Sequence, residues 1–310
     1  MPASIDSLPR AAPPLRIVFE GAPLEAAGAA LHVSARWLAG APCENIFEGA
    51  SPDARSDGIQ LYRSGGLLIG RATEPFVARE LAARTQSLYQ RILAACQGRH
   101  LFRIWNYLPH INELTGGLEH YRAFCQGRSH AFEAGLGGGF QPRLPAASAV
   151  GSKGAQLDVI FVAGETEPRH FENPEQVPAY RYPVEHGPRA PSFARATVGR
   201  DGARTFTFIS GTAAIKGHQT IAPHALPAQL DCTLHNLQLI SRAAGLGENL
   251  SAGRATRRHF KIYLRHAADL AAARTRLEHS LLQPADIVTY LQADICRTPL
   301  NVEIEATLVG

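Results

Sequence analysis

The residues with the most chemical promise stand at the end of the chain, in the stretch CRTPLNVEIEATLVG (296–310). Glu303 and Glu305 lie inside an apolar run with the alternation of a strand. In a strand, Val302, Ile304, Ala306 and Leu308 share one face, and Glu303, Glu305, Thr307 and Val309 the other. Alternation alone favours a solvated face for both glutamates. The other reading sets one carboxyl against apolar walls, which raise its pKa until it can deliver a proton near neutral pH. A thiol and a guanidinium, Cys296 and Arg297, lie just upstream.

Other constellations are weaker. His110 and Glu113, and His120 beyond them, could be mistaken for metal ligands, but the HxxE pattern has no completing third ligand, so no metal is expected. The glycines of GLGGGF (135–140) have no strand before them and no GK[ST] after them, which argues against a phosphate loop. The five cysteines are odd in number, without paired or CxxC spacing, which argues against a disulfide framework and a zinc site. A net charge of +4 comes from scattered arginines, a poor match to nucleic acid but compatible with a small anionic substrate. With no signal-peptide pattern and no apolar run of about 18 residues, the sequence reads as that of a soluble, cytoplasmic protein.

The elements that must position these groups are readable in outline. Residues 1–14 are expected to form a loose arm. Strands are expected at 15–21, at 59–72 as a hairpin about Gly65, and at 100–108. A first helix is expected from the Thr73-Glu74-Pro75 start signal to Gly98, and a second after Gly116-Gly117. A loop-rich stretch (134–154) divides an N-terminal α/β domain, 15–150, from a second domain, 155–310. In the latter, strands are expected at 157–164, SFARATV, RTFTFISG, 259–265, DIVTYLQ and VEIEATLV, with helices through Leu230–Ala244 and Leu270–Leu281. Both halves read as two strands, helix, strand, helix and later strands, suggesting a duplication and an α+β fold of mixed sheets with helices on one face.

In the second half, TFTFISGTAAIKGH, CTLHNLQLISRAAGLG, FKIYLRHAADLAAA and NVEIEATL follow the order of the RidA/YjgF superfamily. That resemblance implies its chorismate-mutase-like topology over 155–310. A narrower one covers about residue 58 to the end. RIWNYLPHINELTGGLEHYRAFCQGR (103–128), ENPEQVPAYRYPVEHGPRAPSFARA (172–196) and the SGTA and VEIEA segments together resemble the chorismatases. These are cofactor-free enzymes that remove the enolpyruvyl side chain of chorismate.

This resemblance implies roles that the residues alone do not establish. Glu303 becomes the general acid that protonates the enol-ether methylene, and Glu305 a structural neighbour. Arg189 becomes a substrate arginine, although without the motif it is a surface residue after Pro188. Tyr121 and Gln176 become substrate contacts, where periodicity makes Tyr121 a core-facing helix residue and leaves Gln176 uninformative. A further family contact falls near Leu114-Thr115 without an assigned residue. Gly211 and Cys296 replace the alanines of the hydrolytic branch and resemble the branch that makes 3-hydroxybenzoate, some members of which also release 4-hydroxybenzoate. There Cys296 assists as nucleophile or proton relay; on its own it reads as a small buried hydrophobe, and Gly211 as a turn glycine. The alternatives are a hydrolase giving 3,4-dihydroxycyclohexa-1,5-diene carboxylate, and a RidA-like imine deaminase or ligand-binding protein. The expected partner is chorismate alone, with no nucleic acid or membrane; a monomer is favoured, with a trimer as the alternative.

Overall fold

The structure, a computed structural model, describes residues 15–23, 29–53, 57–250 and 257–310, so the expected arm at 1–14 lies outside the described residues. Four strands come first: β1 (Leu15–Glu20), β2 (Ala30–Gly40), β3 (Cys43–Phe47) and β4 (Ser51–Pro52). The hairpin of β5 (Gln60–Ser64) and β6 (Leu67–Pro75) turns at Gly65, whose φ of 62° lies in the region glycine adopts without steric cost. Next come α1 (Leu81–Ala95), β7 (His100–Pro109), the two-residue strands β8 (Leu114–Thr115) and β9 (Leu118–Glu119), and α2 (His120–Leu136). β10 (Ala146–Ser152), β11 (Gln156–Gly164) and β12 (Arg169–Phe171) complete the first half. The second half has β13 (Ala196–Asp201), β14 (Arg204–Thr212), the short hairpin β15 (Ile215–Lys216) and β16 (Gln219–Thr220), and α3 (Leu226–Ala243). It ends with β17 (Arg257–Leu264), α4 (Leu270–Glu278), β18 (Ile287–Gln292) and β19 (Val302–Val309).

Two mixed sheets carry these strands. One has six, in the order β10-β7-β11-β6-β5-β4; the other has nine, in the order β12-β13-β14-β19-β17-β18-β2-β1-β3. The suggested duplication is visible in their topology. β10-β7-β11-β6-β5 and β18-β17-β19-β14-β13 are the same arrangement, each with one parallel pair and with its last strand inserted antiparallel between two earlier ones. Register agrees as well: Tyr107 pairs with Asp158 in the first half and Tyr263 with Glu303 in the second.

Each sheet has helices on one face, and the bare faces pack on each other. Leu88, Ile92, Phe124 and Phe132 of α1 and α2 pack with Val159 and Phe161. Leu230, Leu234 and Leu277 of α3 and α4 pack with Ile304 and Leu308. Between the sheets, Trp105, Tyr107 and Ile160 meet Phe206, Phe208 and Tyr263. The result is a helix-sheet-sheet-helix stack, in which a central strand is covered on both faces.

The sheets partition the chain differently from the expected boundary. β1 to β3 add to the C-terminal sheet, and β11, expected in the second domain, belongs to the N-terminal one. β10 lies inside the stretch expected to be loop. Its sequence AASAVGS has too little apolar bulk to announce a strand, yet small residues are needed where Gly151 approaches Asp294 (a methyl there would lie 2.8 Å from its Cβ). Thr73-Glu74-Pro75 ends β6 rather than starting α1, because Gln156 of β11 pairs as far as Pro75. No helix among the described residues is long and apolar enough to cross a membrane.

Candidate active site

β19 is flanked by β14 and β17, so all of Val302–Leu308 is buried. The expected alternation holds, but neither face is solvated. Ile304 and its partners meet α3 and α4, while Glu303 and Glu305 point between the sheets.

The two carboxyls receive opposite environments. Glu305 accepts from Arg103 Nη2 at 2.6 Å and from Trp105 Nε1 at 2.7 Å, and Lys261 Nζ lies 2.7 Å away. Burial opposes its ionisation, but Lys261 and Arg103 outweigh that and hold its pKa below the ordinary value. Lys261 is shared with Glu44 at 2.7 Å, which accepts from Thr307 Oγ1 at 3.1 Å. Glu303 is 3% exposed, and its Oε1 has no hydrogen-bond partner. Burial first, and then the Glu305 anion, push its pKa up to about 8, against weaker pulls from Arg103 and Arg195. One carboxyl is therefore held as an anion while the other favours its protonated form near neutral pH, two environments that push neighbouring pKa values apart.

Glu303 opens onto a cavity of about 460 Å³, a size suited to a small molecule. Tyr121 and Arg122 reach it from α2, Phe193 and Arg195 from the loop before β13, and Cys296 and Arg297 from the segment before β19. Arg195 is 7% exposed and donates through Nη2 to Tyr182 Oη at 2.8 Å. Arg297 donates through Nη1 to His218 O at 2.8 Å and stacks over the Tyr182 ring. A narrower inner chamber of about 30 Å³ continues past Glu303, Gly211 and Cys296 to Ser148 and Arg128.

The sequence-predicted residues separate on this map. Glu303, Tyr121, Gly211 and Cys296 all line the cavity. Gly211 is no turn residue: it sits within β14, and a methyl group there would lie 2.0 Å from Glu303 Oε1. The Cys296 thiol is pushed up to about 12 by burial and then by Glu303, so it stays protonated near neutral pH; this favours a relay over a nucleophilic thiolate. Gln176 stands behind the wall, donating to Ile215 O at 2.9 Å. Arg189 lies outside the cavity lining, half-exposed and paired with Glu133 at 3.0 Å. Six residues further on, Arg195 stands inside the cavity; the sequence displayed both arginines, and only the fold separates them. In the Leu114–Thr115 turn, Thr115 Oγ1 lies 2.8 Å from His120 Nε2.

Among the described residues one group gathers metal-ligand atoms within 4.8 Å of one another, Glu185, His186 and His218 at the cavity rim. His186 and His218 already share a hydrogen bond of 3.0 Å, and burial followed by Arg297 lowers the pKa of His186 to about 4. A cation there would face the Arg297 guanidinium.

Comparison with known proteins agrees with this geometry. Residues 46–163 match the family described as chorismatase FkbO/Hyg5-like, N-terminal. Over 281 residues the chain is 40% identical to a 3-hydroxybenzoate synthase of Streptomyces hygroscopicus, covering 85% of this chain and 80% of that one. Identity to a chorismatase of Streptomyces rapamycinicus is 36% over 274 residues, with 84% and 80% covered. A chorismatase crystal structure superposes with a TM-score of 0.81 at 27% identity, over 98% of this chain and 95% of that one. In sequence over most of its length, and in fold over nearly all of it, this enzyme belongs to the chorismatase family.

Proposed function

We propose that the enzyme removes the enolpyruvyl group of chorismate to give pyruvate and 3-hydroxybenzoate, with Glu303 as general acid. The observation that carries this reading is a buried carboxyl with an unpartnered oxygen, its pKa near 8, facing a 460 Å³ cavity lined also by three arginines, Arg122, Arg195 and Arg297. Arg195 and Arg297 supply planar donors for substrate carboxylate, the role that Arg189 does not reach.

Glu303 hands its proton to the enol-ether methylene carbon, and an oxocarbenium ion forms beside the ether oxygen. The new carboxylate stabilises that cation through a water-poor medium. The substrate's 4-hydroxyl oxygen then attacks ring C3, the C3–O bond breaks with its electron pair leaving to pyruvate, and the hydroxyl proton returns to Glu303. The arene oxide so formed opens to the phenol, with the Cys296 thiol, which lines the cavity and stays protonated, as the relay in this reading. Atoms balance without water, cofactor or external oxidant. Gly211 and Cys296 support this outcome over hydrolysis.

Incubation with chorismate tests the reading, with pyruvate and 3-hydroxybenzoate measured in equal amounts. Glu303→Gln keeps the side-chain shape, has no proton to give, and is expected to lose at least about 10²-fold in pyruvate release. Wild-type protein that leaves chorismate intact would refute the assignment.

A further inference from the structure

The motif at 103–128 ends in an arginine that the proposed reaction has not used. Arg128, on α2, is 1% exposed, and its Nε and Nη2 have no hydrogen-bond partner. Its guanidinium lies over the Phe124 ring, with Cζ 4.8 Å from the centroid, and its polar neighbours are Tyr89, Cys125 and Tyr121, none of them a carboxylate. A buried guanidinium with open donors is costly unless an anion arrives to meet it. Arg128 borders the inner chamber, whose walls include Glu303, Gly211 and Cys296.

Resting on the chorismatase reading, we infer that Arg128 binds the carboxylate of the enolpyruvyl arm and thereby sets which end of the substrate enters first. The chamber, at about 30 Å³, has room for a carboxylate head but not for a six-membered ring. In an enolpyruvyl ether the carboxylate and the methylene share one carbon. An arm anchored on Arg128 therefore brings its methylene against Glu303, which lines the same chamber. The ring stays in the larger cavity, and its own carboxylate falls to Arg195 and Arg297. The opposite orientation would put the ring in the space too small for it and turn the methylene away from the acid.

Direct binding of three probes tests this: 2-methoxyacrylate and pyruvate for the arm, and 3-hydroxybenzoate for the ring. In wild-type protein all three should bind. Arg128→Met should weaken the two small acids at least tenfold, the loss of a charged hydrogen bond, while changing 3-hydroxybenzoate affinity less than about threefold. Arg195→Met should show the reverse order. Because Arg128→Met removes an unpaired buried charge, its melting temperature should hold or rise. Equal weakening of all three probes, or weakening of 3-hydroxybenzoate alone, would overturn the inference, as would a marked fall in melting temperature with wild-type binding of the small acids. Should the methionine variant not fold, Arg128→Lys, which keeps the charge but loses the fork, reads the same contrast. Chorismate turnover by the wild type is scored separately, so that its failure sinks the reaction while the probe series still judges Arg128.

Discussion

Glu303 and Glu305 are the same chemical group two residues apart, and their neighbours decide what each does. Glu305 keeps its charge beside Lys261 and Arg103; Glu303, equally buried, has no cation bonded to it, faces that charge and keeps its proton. The difference is measurable as linkage. With a folded pKa near 8 against an ordinary value of 4.5, the stabilisation from Glu303 is fully present below about pH 4.5 and is lost as pH rises through 8. Glu303→Gln removes this dependence, so its melting temperature relative to wild type should rise between pH 5 and pH 8.5, reflecting a few kcal/mol. A constant difference across that range would mean the carboxyl titrates normally. Gly211 belongs to the same argument. A methyl group at position 211 meets Glu303 Oε1 itself, so Gly211→Ala must swing the acid, and near-attack geometry is sensitive to such displacement. It should lower turnover at least about tenfold and shift the residual product toward the dihydroxycyclohexadiene acid. Cys296→Ala leaves the acid in place, so pyruvate release should survive while 3-hydroxybenzoate falls. Chromatography of both reactions separates these outcomes, and undiminished 3-hydroxybenzoate from Cys296→Ala would reduce the thiol to packing.

At the scale of elements, α2 presents both Tyr121 and Arg128 to the site, and its seat against α1 is unusually close. A methyl group on Gly127 would lie 2.0 Å from Ala82 O, a backbone atom with nowhere to go. Gly127→Ala gains about 1 kcal/mol of helix propensity, yet overpacking at a rigid contact costs about 1–3 kcal/mol. We expect a net loss in stability together with a rise in KM, because Tyr121 and Arg128 move with the helix. Thermal melts and steady-state kinetics check this, and a stabilised variant with wild-type KM would show that α2 is free to shift. Elements also mark what the sequence disclosed. Strongly patterned strands and helices, such as VEIEATLV and the Leu230–Ala244 helix, were legible from period alone. β10 was not, because alanine, serine and glycine carry no hydrophobic signal; its backbone is instead secured by side chains of the other half, Ala146 N donating to Thr197 Oγ1 and Ala147 N to Ser210 Oγ. The site was legible where motif residues are fixed by strand register, as at Glu303. It was hidden where a long loop chooses between Arg189 and Arg195.

For the whole molecule, the joint between the sheets is the decisive structure. Glu44 of β3, Arg103 and Trp105 of β7, Lys261 of β17 and Glu305 of β19 meet in one buried polar cluster. Strands far apart in the chain thus share a single charge arrangement, in the layer where the apolar residues of both sheets also meet. Charges so deeply placed are costly to desolvate and hold only while each has its partner. Lys261 is the member that two carboxylates share, at 2.7 Å each, and both neighbours raise its pKa. Lys261→Met should therefore cost about 3–5 kcal/mol in a urea titration at neutral pH, since it leaves Glu44 without its cation and Glu305 with Arg103 as its one remaining cation. The double variant Lys261→Met with Glu44→Gln should recover part of that loss, because one stranded anion is gone while Arg103 and Trp105 still satisfy Glu305. The Glu303 environment should respond too: with Lys261 absent, the Glu305 anion loses a compensating cation while Arg103 and Trp105 still hold it ionised, so more net negative charge faces Glu303 and its pKa should rise. The alkaline limb of the pH–rate profile, where Glu303 loses its proton, reads that shift in whatever folded fraction remains. A single variant costing less than about 1 kcal/mol, or a double variant no more stable than the single, would mean that apolar packing alone holds the sheets in register.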